Sequence, residues 1–250
     1  MRFMSPHLMM TLGASVSGTV DSDYDANWLC DGDPSFPIRT TTSASYTITG
    51  SSTADIDGIV VANHNLDAGT NVVFSSGLTA TVVADDVPPN DIRLNAFATI
   101  TPATASGCTL TITGHSGPIV IGEVLIGQFQ EMRTLPPSSN LSMVPFEVPN
   151  AGEFGGLSQD RGAESRVFGG TVYVDEATKG LLDDWYRACR NNSLPSVIVP
   201  IEATALISPG PLVEAWVVKW ITYSPRPYLV ALGQWEVEVA WQELPRYRWP

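Results

Sequence analysis

Apolar and polar positions alternate in two different rhythms along the 250-residue chain. Between residues 37 and 127, short runs rich in β-branched residues recur at the roughly 8–12-residue spacing typical of all-β folds. The runs at 45–48, 56–62, 70–74, 78–84, 91–100, 109–113 and 119–126 predict strands. Gly, Asn, Asp and Pro fill the intervals, as turn geometry requires. No helix of ordinary length fits before residue 130, so an antiparallel β-sandwich is expected here.

Beyond residue 165 the rhythm changes. A strand is predicted at 165–174, then one helix at 175–190. Leu181, Leu182, Trp185, Tyr186 and Cys189 fall on one face of a 3.6-residue period. Asp175 suits the N-cap, Glu176 the first turn, and Arg187 and Arg190 the last turn, where each charge complements the helix dipole. Further strands are predicted at 196–200, 212–223 and 228–244. In the last, Trp235, Val237, Val239 and Trp241 alternate with Gln234, Glu236, Glu238 and Gln242, a half-buried strand pattern. Trp216, Val218 and Trp220 repeat it one strand earlier, so four indoles share a face. Burial in a core is the simpler account of them, and an aromatic platform for a sugar is the sharper one.

The intervening residues 131–165 hold Pro136, Pro137, Pro145 and Pro149 and no sustained period, which predicts a linker or contact arm. The expected organisation is therefore an N-terminal arm at 1–20, a sandwich at 21–130 and the linker at 131–165. A second β domain at 166–245 carries the helix 175–190, and a short tail at 246–250 follows.

Composition narrows the partners. Gly and Pro make up 40 of the 250 residues, about 16% against roughly 12% in average usage, in keeping with strands joined by turns. The formal charge is −13, and the only lysines are Lys179 and Lys219. No basic patch is present to neutralise phosphates, so neither stable nucleic-acid binding nor adsorption to an anionic membrane is expected. Residues 1–125 carry 12 acids against three arginines, net −9; the remainder carries 14 acids against ten basic residues, net −4. No apolar stretch has the roughly 18–20 residues of a membrane helix. Cys30, Cys108 and Cys189 lack metal or disulfide spacing, and reduced thiols in a chain made in the cytoplasm are expected.

Candidate chemistry is sparse. Asp21, Asp23 and Asp25 suggest a calcium loop, but Ala26 and Gly32 occupy the positions where an EF-hand needs Gly and Glu. A looser ion or ligand loop can be drawn around Asp31 and Asp33, with a solvated turn as the simpler account. His64, between Asn63 and Asn65 and near Asp55, Asp57 and Asp67, can be drawn as an acid–base or metal constellation or as a turn that satisfies its own backbone. No nucleophile elbow, zinc motif, phosphate loop or dinucleotide fingerprint occurs, so no catalytic residue, metal or cofactor is expected. Arg246, Tyr247, Arg248 and Trp249 form a basic-aromatic tail on an acidic chain, a composition suited to docking.

Two stretches carry a family resemblance. Residues 31–49, from Asp31-Gly-Asp-Pro to Tyr46-Thr-Ile-Thr, and residues 56–66, ending Ala-Asn-His-Asn-Leu, resemble the galactose-binding-like (discoidin-type) jelly roll of tailed-bacteriophage structural proteins. Residues 169–175, the helix segment 181–186 and residues 233–244 resemble the ring-forming β domain of phage distal tail and baseplate proteins. The resemblance implies a non-enzymatic virion protein: a jelly roll plus a β domain with one helix, assembled as a hexameric ring around the tail conduit. It would contact tail tube, hub and fibre proteins. The ring domain usually comes first in that family, so a leading jelly roll implies an insertion after an N-terminal arm or a different tail-tip protein. The rival expectation is a carbohydrate-binding module for host-surface glycans, using Trp28, His64 and loop carboxylates; a weaker rival is a hydrolase using Asp57 and His64.

Overall fold

A computed structural model describes residues 2–4, 11–17, 20–32, 37–41, 45–51, 56–74, 79–81, 96–103, 106–131, 140–151, 157–192, 195–199, 215–229 and 232–244. In chain order its strands are β1 (Arg2–Met4), β2 (Thr11–Ser17), β3 (Ile38–Arg39), β4 (Ser45–Ser51), β5 (Ile56–His64), β6 (Asn71–Phe74), β7 (Thr79–Thr81) and β8 (Ala96–Ala103). There follow β9 (Ser106–Thr113), β10 (Val120–Gly127), β11 (Gln130–Glu131), β12 (Asn140–Ala151), β13 (Leu157–Asp175), the helix α1 (Glu176–Asn192), β14 (Ser196–Val199), β15 (Trp216–Leu229) and β16 (Gln234–Glu243). The expected class is found: a mainly antiparallel β protein with a sandwich, a further sheet and, among the described residues, one α-helix.

The sandwich faces a four-stranded sheet, β3-β10-β5-β8, with a five-stranded one, β2-β4-β9-β6-β7. Alternate residues of both sheets meet between them: Ile59, Val61, Val124 and Ile126 from one side, Tyr46, Ile48, Val72, Phe74 and Leu110 from the other. A 3-10 helix, Ala26–Cys30, plugs one end with Leu29, and Asp25 caps it by accepting the Asn27 N–H at 2.9 Å.

The third sheet has seven strands in the order β11-β1-β14-β15-β16-β13-β12. Its second strand is β1, paired with β11 (Phe3 opposite Gln130) and with β14 (Phe3 opposite Ile198). The arm expected over 1–20 is thus two strands in two different sheets, because Phe3 and Met4 are large apolar residues and both are buried. The sandwich strands lie in the chain between β1 and β11, so the sandwich is inserted into the seven-stranded sheet.

A second difference concerns the linker expected over 131–165. Within it, 140–151 and 157–165 are strand, and β12 pairs with β13 over eleven positions from Asn140–Gly169 to Ala151–Leu157. Proline hides such a strand from a pattern reading. β12 lies at the sheet edge, where a missing N–H costs little, and its register shifts between Pro145 and Glu147.

The two units share an apolar layer. On β5 and β10 the residues facing away from the sandwich core, Val60, Ala62 and Leu125, pack with Met4, Val197, Ala215, Val217 and Phe129. Strands β5 and β10 are consequently buried on both faces, which explains why they read as continuous apolar runs rather than alternations. Gly58 permits this closeness, since a Cβ there would overlap the Phe129 ring.

Helix α1 covers the opposite face of the seven-stranded sheet. Its N-cap is Asp175, whose Oδ1 accepts the Thr178 N–H at 2.8 Å. Leu182 and Trp185 pack on Val172, Val237, Val239 and Trp241. Phe3 stacks on Trp185 with centroids 4.1 Å apart and planes 8° from parallel. Trp220 and Trp241 complete the cluster at 4.7 and 5.4 Å from Trp185. Trp185 Nε1 donates to Ser196 Oγ at 2.6 Å, so the buried indole keeps a polar partner. Of the alternating tryptophans, Trp216 and Trp241 are buried in this core, and Trp220 and Trp235 are partly buried against it.

Candidate functional site

The polar cluster singled out in the sequence sits where β5 ends. Asn63 adopts φ 50°, a left-handed conformation that Asn tolerates, and this turns the chain out of the strand. His64 follows it into the interior, 3% exposed, and its Nδ1 accepts the Leu66 N–H at 3.3 Å. Asn65 bridges to the strand entering β10: Oδ1 accepts the Val120 N–H at 2.8 Å and Nδ2 donates to the Pro118 carbonyl at 2.9 Å. Thr40 Oγ1 accepts the Ile119 N–H at 3.1 Å. Asp67 Oδ2 stands 3.0 Å from His115 Nδ1, while His115 Nε2 lies 3.2 Å from the Pro118 carbonyl. These side chains replace strand pairing where three loops meet, an arrangement that fixes loops.

Asp57 and His64 do not form an acid–base pair. They occupy opposite ends of β5, seven residues and about 23 Å apart at strand rise. Asp57 Oδ1 accepts the Phe129 N–H at 2.7 Å and so holds the turn leading to β11. Among the described residues, no group of three or more His, Cys, Asp and Glu could hold a metal.

Asp31 directly follows the 3-10 helix, and Asp33 lies outside the described residues. A neighbouring acid was not singled out in the sequence: Glu123, 1% exposed on β10, accepts the Gly32 N–H through Oε2 at 2.9 Å. Its only sequence signal is a carboxylate within the apolar run of 119–126. Burial first, then Glu123 and Asp31, push the Cys30 thiol far up, so it stays protonated at neutral pH. Trp28 is half-buried against the sandwich core, with Tyr24 edge-on at 6.0 Å.

The sequence also gave no sign of an exposed aromatic pair on the seven-stranded sheet. Tyr173 on β13 and Tyr228 on β15 lie 4.9 Å apart on the face away from α1, 49% and 53% exposed. Between them runs β16, with Glu236 opposite both Tyr173 and Arg226, and Glu238 opposite Thr171 and Ser224. The nearby hairpin end is apolar and open, with Leu229 and Leu232 exposed. The proposed docking residues Arg246, Tyr247, Arg248 and Trp249 lie outside the described residues.

Together these features define a β-sandwich inserted into a helix-backed seven-stranded sheet, with its conspicuous polar cluster spent on loop structure. Among solved structures, a Streptococcus pneumoniae fucose binding module, SpX-3, aligns at 12% identity and a TM-score of 0.37, over 48% of this chain and 96% of that one. No protein-family model and no curated protein matches the chain.

Proposed function

We propose that the protein is a structural, non-enzymatic component of a bacteriophage tail tip or baseplate, assembling into a ring around the conduit and docking other tail proteins. The observation that carries this reading is the position of β1. With β1 between β11 and β14, the seven-stranded sheet begins at the N-terminal strand and the sandwich is an insertion. That is the order expected of a ring domain that comes first. Two further features favour it: the His64 cluster is committed to backbone groups, and the net charge of −13 suits a bore that must release passing DNA. The virion is the matching location.

Mass photometry of the purified chain is the test. A ring-sized species, alone or with tail partners, is expected; a strict monomer that binds glycans would reverse the conclusion. That second reading, carbohydrate binding, has one observation of its own. Tyr24 and Trp28, two half-buried rings beside Asp21, Asp23 and Asp25, stand at one end of the sandwich, where an aromatic edge and carboxylates can hold a pyranose. Glycan-array binding that is lost in Trp28→Ala would favour it.

A further inference from the structure

Building on the ring reading, we propose that the open face around Tyr173 and Tyr228 is the docking site for residues 246–249 of a neighbouring copy of this chain. Soluble proteins rarely leave apolar side chains clustered in water without a partner. Here Tyr173, Tyr228, Leu229 and Leu232 are between 45% and 69% exposed, on the end of the sheet that the sandwich layer leaves uncovered.

The charge on this face selects the occupant. Glu236 and Glu238 point to the same side of β16, about 6.6–6.8 Å apart as i and i+2 residues of a strand. Arg226 offsets one of them from the neighbouring strand, while the neighbours of Glu238, Thr171 and Ser224, are neutral. Arg246 and Arg248 have the same i, i+2 spacing, and Tyr247 and Trp249 alternate with them. In an extended segment the arginines therefore match the two glutamates in pitch, and the aromatic rings fall on the other side. Glu236 lies between Tyr173 and Tyr228 across the sheet, so a segment laid along β16 with its arginines toward the glutamates also crosses the tyrosine pair.

The same chain cannot supply the segment to itself. Leu244 continues directly from β16, its N–H bonded to the Val217 carbonyl at 2.8 Å. Even fully extended, Arg246 reaches only about 7 Å from Leu244, whereas Glu238 lies six residues back along β16, about 20 Å away, so one chain cannot bring both arginines to its own two glutamates. The donor segment and the acceptor face are different surfaces, so on the ring reading each copy passes its segment to the next, a head-to-tail contact that closes into a ring.

A peptide spanning residues 244–250, titrated against the chain lacking 246–249, tests the docking directly. Saturable binding is expected, weakening at least tenfold in Glu236→Lys/Glu238→Lys and on raising salt from 50 to 500 mM. In the full chain, Glu236→Lys/Glu238→Lys and Arg246→Glu/Arg248→Glu should each abolish the oligomer. Combining all four substitutions in one chain should restore it, which a mere folding defect would not allow. A ring that survives loss of 246–249, with no peptide binding, overturns this inference and leaves the ring reading intact. Peptide binding by a chain that stays monomeric supports the docking site and counts against the ring.

Discussion

Phe3 fills the gap between β14 and the helix, its ring flat against Trp185, so a residue three positions from the chain start belongs to the core beneath α1. Removing so large a buried side chain costs about 3–5 kcal/mol. Phe3→Ala should lower the denaturation midpoint accordingly, and chemical unfolding followed by tryptophan fluorescence would register it. Gly58→Ala should also destabilise, by about 1–3 kcal/mol, because the methyl group displaces Phe129 from the shared layer. His64→Ala leaves the Leu66 N–H without its acceptor and should cost about 1–3 kcal/mol without changing the oligomeric state. Burial raises the Cys30 and Cys189 thiols above their ordinary range. Both should alkylate slowly at pH 8 in the native protein and rapidly once it is unfolded, as peptide mapping would show.

At the scale of elements, α1 ties its charge pairs to the sheet. Burial alone would raise the Asp183 carboxyl, but hydrogen bonds from Lys179 and Tyr223 outweigh it and hold the group below its ordinary range. A depressed folded-state value means that the stabilisation is present above the unfolded carboxylate value, near pH 4, and is lost as pH falls further. Asp183→Asn should therefore lower the melting temperature at pH 7 and flatten its acid limb between pH 5 and 2, so that variant and parent converge in acid. Asp175→Ala removes the cap and should cost about 1 kcal/mol. The helix, its cap and the alternation of β16 were legible in the sequence because each buries one face and wets the other. Strand β15 instead runs on to Leu229 through the Pro-rich residues 224–228, where the pattern predicts a break between strands. β1 was not legible: three residues carry no period. The β12–β13 hairpin was obscured by prolines that an edge strand tolerates. The polar cluster after β5 was legible as a cluster, yet sequence spacing could not show that Asp57 lies a full strand length from His64.

For the molecule as a whole, the layer of Met4, Val60, Ala62, Leu125, Phe129, Val197 and Val217 makes the two units one body rather than beads on a linker. It was hidden because the continuous apolar runs of β5 and β10 fit a single sandwich core equally well. Substituting Val60→Asp and Leu125→Asp together should part the units while each keeps its own core. Heating the variant would then give two calorimetric transitions where the parent gives one.

The place of β1 also sets an order of assembly during synthesis. Sandwich strands β2 to β10 leave the ribosome early and find all their partners within the first 127 residues. Arg2–Met4 emerges before them, yet its neighbour β14 is made only at residues 196–199. A strand translated ahead of the sandwich is therefore seated well after it, and until then the outer faces of β5 and β10 lie open on the nascent chain.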